Sequence, residues 1–306
     1  MSPILVTGAS GNVGRVVVRH LRAAGAEVRA AGRPTGSRRT PPHGEPGGPG
    51  FDFTDPSTWG PAFTGVRTMF LIRPPALSNV RRDLLPAMAA ARRAGVRHVV
   101  FLSLQGAEKN PLLPHAAAES WLRTSGLEWT FVRPSFFSQN LSTTHAADIR
   151  DRDQIVLPAG HGATAFVDVT DVGAVAAAAL LDPAGHAGRG WTVTGPEALT
   201  YDQVAERLTT ELGRPIRYRP AGVARYLRHA RRRLGLPAGM AVVTAAIYTT
   251  ARLGLAAGLT DDVRTVLGRP PITFAEFARR ERAAWIPPAS GGANLTTDRQ
   301  MGAQLP

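Results

Sequence analysis

The feature that most constrains this chain is the run Thr7-Gly8-Ala9-Ser10-Gly11-Asn12-Val13-Gly14, directly after the apolar triplet Ile4-Leu5-Val6. A strand that passes through three evenly spaced glycines into a helical pattern points to a parallel sheet with crossover helices. Gly8 permits a tight turn, Gly11 lets backbone approach a pyrophosphate, and Gly14 lets the helix sit close on the sheet. The helix start adds about half a positive charge and free amides, which together hold an anion. Thr7 to Gly14, with Ser10, Asn12 and Val13 among them, are therefore the expected dinucleotide contacts. The spacing G-x-x-G-x-x-G is one residue longer than the G-x-G-x-x-G of most dehydrogenases.

The first half continues the alternation. Strands are expected at Ile4–Val6, Glu27–Ala31, Phe51–Phe53, Thr68–Ile72, His98–Leu102 and Trp129–Val132, and helices at Val13–Ala24, Leu84–Ala94 and His115–Ser125. Val16, Val17, Leu21 and Ala24 give the first helix its apolar face. Residues 34–50 hold five Pro and five Gly in seventeen positions, so a surface loop is expected there and not a helix or central strand. Beyond residue 140 the expected strands are Ile155–Leu157, Ala165–Val169 and Trp191–Val193, and the expected helices Val172–Leu181, Tyr201–Leu212, Gly222–Leu234 and Phe274–Trp285. Thr200-Tyr201-Asp202-Gln203 fits a capping box, and Asp168 and Asp171 read as caps of the helix from Val172. The expected organisation is a nucleotide-binding domain over 1–150, an interleaved C-terminal subdomain over 151–286 that covers the substrate, and a loose tail over 287–306.

Composition removes several functions. With no cysteine, disulfides, Cys-ligated zinc, iron–sulfur clusters and thiol catalysis are excluded. The eight histidines show no H-x-x-H or H-E-x-x-H spacing, so no metal is expected. Net charge is +13, which first points to nucleic acid or an anionic surface. The basic tracts are dispersed, however, and the charge is almost wholly arginine, Lys109 being the one lysine. Among abundant Gly, Pro and Ala, this is the mark of GC-rich coding, and a nucleic-acid partner is not expected. Arg225, Arg228, Arg231 and Arg232 fall at helical spacing and read as a solvated face. The first apolar run leads straight into the glycine turn, so a signal peptide is not expected. The apolar segment Met240–Gly258 is barely long enough to span a bilayer and carries Thr, Tyr and Arg, so it reads as a buried or interface helix. A cytoplasmic monomer or homodimer without membrane contact is the expectation.

Just past the end of the second strand stands Arg33, where an NAD enzyme would place an acid for the ribose 2′-hydroxyl. A guanidinium pairs bidentately with a phosphate, so Arg33, with Arg38 or Arg39, predicts NADPH.

The glycine run and Arg33 stand with Arg133-Pro134-Ser135-Phe136-Phe137-Ser138-Gln139-Asn140 and Phe166-Val167-Asp168-Val169-Thr170-Asp171-Val172. In combination, over residues 3–285, they resemble the NmrA-like family of atypical short-chain dehydrogenases/reductases. Leu199-Thr200-Tyr201 and Leu212-Gly213-Arg214-Pro215 add to the likeness. The resemblance implies an α/β fold, a Rossmann doubly wound parallel sheet with a smaller C-terminal α/β subdomain, binding NADPH. It implies Asp52 and Phe53 beside the adenine, Leu71, Ile72, Arg73 and Pro74 under the ribose and nicotinamide, and Pro134, Ser135 and Phe136 near the nicotinamide. Extended relatives carry Tyr-x-x-x-Lys with a Glu four residues beyond the Lys. With Glu119 in that place, the Lys position falls on His115 and the Tyr position on Pro111, so both catalytic residues are missing. A Tyr acid lowered by Lys protonates a carbonyl oxygen during hydride transfer, and simple ketone reduction is therefore not expected.

What remains there is Ser103, a candidate hydrogen-bond donor, and His115, whose ordinary pKa near 6.5 suits a proton donor. Gln105, Phe136, Phe137 and Asn140 are candidate substrate contacts. The expected function is NADPH-dependent reduction of a conjugated acceptor such as a quinone, an enone or an aromatic polyketide-type intermediate, which needs hydride delivery more than a strong acid. The alternatives are a non-catalytic NADP(H)-binding redox sensor and a redox-neutral coupling enzyme of secondary metabolism.

Overall fold

The computed structural model describes residues 2–32, 50–77 and 79–287. Strand β1 (Ile4–Thr7) leads into helix α1 (Asn12–Ala23), then β2 (Val28–Ala31), the short α2 (Trp59–Phe63) and β3 (Thr68–Ile72). Helices α3 (Val80–Asp83) and α4 (Leu85–Arg93), β4 (His98–Leu102), α5 (Pro114–Thr124) and β5 (Glu128–Pro134) complete the first half. The second half begins with β6 (Phe136–Phe137), α6 (Gln139–Ser142), α7 (Ala146–Arg152), β7 (Gln154–Leu157) and β8 (Ala163–Val167). It continues through α8 (Val169–Leu181), α9 (Pro183–His186), β9 (Arg189–Val193), β10 (Ala198–Thr200), α10 (Tyr201–Leu212) and β11 (Arg217–Pro220). Helices α11 (Val223–Arg232), α12 (Ala238–Arg252), α13 (Asp262–Leu267) and α14 (Phe274–Glu281) follow.

Six strands pair in the order β2-β1-β3-β4-β5-β9, all parallel. Parallel strands are buried on both faces, and here alternate residues feed two cores. Val6, Phe70, Val100 and Val132 point to the core with α1 and α8, whereas Leu5, Met69, Leu71, Val99, Phe101 and Phe131 point to the core with α2, α4 and α5. The second half returns to finish this layer. β9 extends the sheet beside β5, and Gly173 lets α8 close on α1, since a Cβ there would lie 2.7 Å from Val16 Cβ. A third core fills the C-terminal unit, where β6 and β10 flank β8 and β7 pairs with β11.

Several sequence expectations shift. Phe51–Phe53 is not a strand: one bridge joins Gly32 to Gly50, after which the Asp52 carboxylate accepts from Thr54 N (2.8 Å) and the Asp52 carbonyl from Trp59 Nε1 (2.9 Å). Those local bonds bend the chain out of a ladder. Leu84 separates α3 from α4, because Pro86 in the first turn of α4 cannot donate back into α3. Strand β8 ends two residues early and α8 starts three early, at the cap Asp168, whose side chain accepts from Thr170 N (2.8 Å). Asp171 caps nothing; it is buried within α8, accepts from Ile272 N (2.7 Å) and pairs with Arg269. The helix from Phe274 tightens to a 3₁₀ turn at Arg282–Trp285. The capping box at Thr200 and Gln203 is present as read.

Candidate dinucleotide and substrate site

The C-terminal ends of β1, β3, β4 and β5 open on one edge of the sheet, the edge where doubly wound folds bind ligands. At β1, Gly8 takes a φ of +63° that a side chain would strain, with Ile72 packed against it. Gly14 is held closer still: a Cβ there would be 2.8 Å from the Gly8 carbonyl carbon and 2.9 Å from Ala9 Cα. This backbone crossing sets α1 down directly behind the turn, with Ser10, Gly11 and Asn12 exposed above it. The first turn of α1 carries no acidic residue and no side-chain cap, so its amides remain available to an anion. The turn fits a pyrophosphate.

Not every residue of the motif offers its side chain. Thr7 is fully buried; its hydroxyl donates to the Phe70 carbonyl (3.0 Å) and accepts from Ile72 N (2.9 Å), tying β1 to β3. Val13 and Leu71 are core residues, which leaves only their backbone for a ligand. Arg33, Arg38 and Arg39 lie outside the described residues.

The ends of β3, β4 and β5 form a charged cluster. Ser103, just past β4, donates to Glu119 Oε1 (2.6 Å), and Arg133 on β5 grips the same carboxylate through Nε (2.9 Å) and Nη2 (2.6 Å). All three side chains are buried, and the bidentate pair raises the Arg133 pKa. The Ser103 proton is thus committed to Glu119, which corrects its expected role as a donor to substrate. His115 occupies the first turn of α5, stacked on Phe101 with ring centroids 6.0 Å apart. Burial, helped by the nearby Arg73 cation and opposed by Glu119, brings its pKa down to about 4. The imidazole is neutral at pH 7, so the expectation of a proton donor titrating near neutrality is corrected as well.

Among the described residues, two polar atoms at these strand ends have no hydrogen-bond partner. Ser135 Oγ, between β5 and β6, is buried without a hydrogen bond, as is Arg73 Nε, although Arg73 Nη1 donates to the carbonyls of Pro74 (3.1 Å) and Leu77 (2.7 Å). Buried polar groups seldom stay unpaired, and both stand at strand ends where a bound group would complete them. Arg73 and Ser135 were read from a resemblance, whereas the Glu119–Arg133 pair was missed. Its sequence signal is weak: a charged residue inside the apolar run of β5.

The substrate candidates divide. Gln105 Nε2 donates to the Gly258 carbonyl (2.9 Å), bridging the loop after β4 to the segment after α12. Phe136 is half-buried, 6.1 Å from Tyr248 in the C-terminal core, while Phe137 packs against the core beside α1. Asn140 is half-buried, and its carbonyl accepts from His145 N (3.0 Å). A cleft of about 630 Å³ lined by Gly160, His161, Gly222 and Arg252, among others, shares none of these residues. Among the described residues no group of His, Asp or Glu is arranged to hold a metal.

This sheet order and glycine turn define an NAD(P)-binding protein of the doubly wound α/β class. The NmrA-like family model matches residues 1–247, and the chain belongs to that family. NAD(P)H azoreductase of Xenophilus azovorans is 35% identical over 289 residues, covering 92% of this chain and 99% of that protein. The (4-alkanoyl-5-oxo-2,5-dihydrofuran-3-yl)methyl phosphate reductase of Streptomyces griseus is 34% identical, covering 93% and 99%. Among solved structures, triphenylmethane reductase of Citrobacter sp. with NADP(H) superimposes with a TM-score of 0.73 at 24% identity, covering 91% of this chain and 99% of that one. At that identity the likeness is one of fold.

Proposed function

We propose that the protein is an NADPH-dependent reductase of a conjugated small-molecule acceptor: a quinone, an enone or an aromatic polyketide-type intermediate. The observation that carries this reading is the state of the proton donors beside the strand ends. His115 is held neutral and the Ser103 proton belongs to Glu119, while the family resemblance puts Pro111 and His115 at the positions of the extended relatives' Tyr and Lys. Such a site orients and delivers hydride but offers only a weak donor. An acceptor that spreads the incoming electrons over a conjugated system needs no more, because water can supply the proton afterwards. The bound nicotinamide would supply the hydride; the α1 turn would hold its pyrophosphate, and Arg73 and Ser135 would stand near its reactive end.

Relatives named for azo and oxo-dihydrofuran substrates favour the same class, since each name describes a conjugated electrophile. Arg33 favours the 2′-phosphate of NADPH over the bare hydroxyl of NADH. The test is steady-state oxidation of NADPH and NADH against quinones, enones and azo dyes. Turnover with at least one class and tighter binding of NADPH are expected; no oxidation across the panel, or equal dissociation constants, would overturn the corresponding half. The sensor alternative has one supporting observation, the missing Tyr and Lys, and predicts discrimination of oxidised from reduced cofactor with no acceptor-dependent oxidation.

A further inference from the structure

The positive charge is not spread evenly. Residues 212–260 contain nine arginines and no Asp or Glu, so this one segment carries nine of the chain's thirteen net charges. It forms β11, α11, α12 and the stretch leading to Gly258. On α11, Arg225, Arg228, Arg231 and Arg232 are exposed while Tyr226 and Ala230 are buried. None of the four forms an ion pair among the described residues.

Helix α12 is built the wrong way round for a water-facing helix. Its core face is Ala241, Ala245, Tyr248 and Ala251, mostly small. Its outward face presents Val242 (57% exposed), Val243 (52%) and Ile247 (43%), with Leu253, Leu255 and Leu259 exposed just beyond its end. Surface helices normally bury such residues and show charge outside. The two helices lie side by side on one core: Tyr226 donates to Thr244 Oγ1 (3.1 Å), and the Tyr226 and Tyr248 rings are 5.7 Å apart. Their outward faces therefore form one surface, an apolar ridge bordered by arginines.

We propose that this surface docks the protein on an anionic lipid bilayer, the valines, isoleucine and leucines entering the interface while the α11 arginines meet lipid phosphates. Charge complementarity selects this occupant. A second copy placed symmetrically on α12 would bring two arginine-rich helices together with no acid in either segment to offset them. A nucleic acid would satisfy the arginines but leave the apolar ridge in water. The ridge lies on the protein and not through the membrane, because among the described residues no helix is long and apolar enough to cross one. This revises the expectation of a merely solvated arginine face. It stands independently of the reductase reading, although Gln105 at the strand ends bonds to Gly258 at the end of the same segment.

The test is flotation of the full-length protein with vesicles of phosphatidylcholine alone and of phosphatidylcholine with phosphatidylglycerol, at low and high NaCl. Binding to the anionic vesicles, weakened by salt, is expected. Arg225→Gln/Arg228→Gln should lower vesicle affinity about thirtyfold, from two arginines near the surface, and Val242→Ser/Ile247→Ser at least about tenfold. All four positions are solvent-facing, and unchanged NADPH binding and thermal unfolding report that the variants fold. Equal binding to neutral vesicles, or none to either, overturns the proposal. So does a dimer that Val242→Ser/Ile247→Ser dissociates, or retention on duplex DNA that this apolar variant leaves intact.

Discussion

Glu119→Ala is the most informative single change in the site. The carboxylate is 3% exposed and accepts three hydrogen bonds, two from a guanidinium that is itself 9% exposed. Removing one partner of a buried ion pair costs about 3–5 kcal/mol, because the survivor keeps its desolvation penalty without its counter-charge. Arg133 retains Glu108 at 3.5 Å on its other side, which places the expected loss at the low end, about 3 kcal/mol. For a protein of this size that lowers Tm by roughly 5 °C. The paired variant Glu119→Leu/Arg133→Met removes both charges and fills the space with apolar groups, and should lie within about 1 kcal/mol of the parent. Urea unfolding followed by tryptophan fluorescence is a direct assay, since Trp129 stacks on Phe131 at 4.2 Å in the same strand. A loss below about 1 kcal/mol for Glu119→Ala, or a double variant as unstable as the single, would refute the claim that the pair acts as a buried, mutually compensated unit.

Stability should also fall on acidification: His98, His115 and His145 are each held down to about 4, chiefly by burial, against 6.5 in the unfolded chain. Between those values the unfolded state takes up protons that the folded state refuses, so stability is complete above pH 6.5 and declines by up to about 4 kcal/mol per pH unit below it; urea midpoints that stay flat from pH 7 to 5 would contradict this. Gly14→Ala should cost about 1–3 kcal/mol by forcing α1 away from the Gly8 turn and should abolish detectable NADPH binding in a fluorescence titration; ordinary affinity in that variant would remove the turn from the site. Ser135→Ala deletes an unpaired hydroxyl, so thermal unfolding should show unchanged or slightly raised stability, while affinity for NADPH or the acceptor falls about fivefold. Arg33→Ser should weaken NADPH binding at least about tenfold and leave NADH unaffected.

The sequence by itself determined the elements of the nucleotide half. β3 and β4 run over the residues their apolar runs mark, and α1 follows from valine and leucine spacing, because strand alternation and helical period are local properties of the chain. The glycine turn was legible for the same reason: a positive φ at Gly8 and a close approach at Gly14 leave residue types little choice. Tertiary structure alone decided which polar side chains remain free to act. Ser103, Glu119 and Arg133 are up to thirty residues apart, and only the adjacency of β4, α5 and β5 makes them one buried cluster. His115 looks like a proton donor in isolation and loses that character to burial and to Arg73, neither of which its neighbours in sequence reveal. The outward valines of α12 were equally hidden, because an apolar helix shows which residues are hydrophobic but not which side the rest of the protein covers.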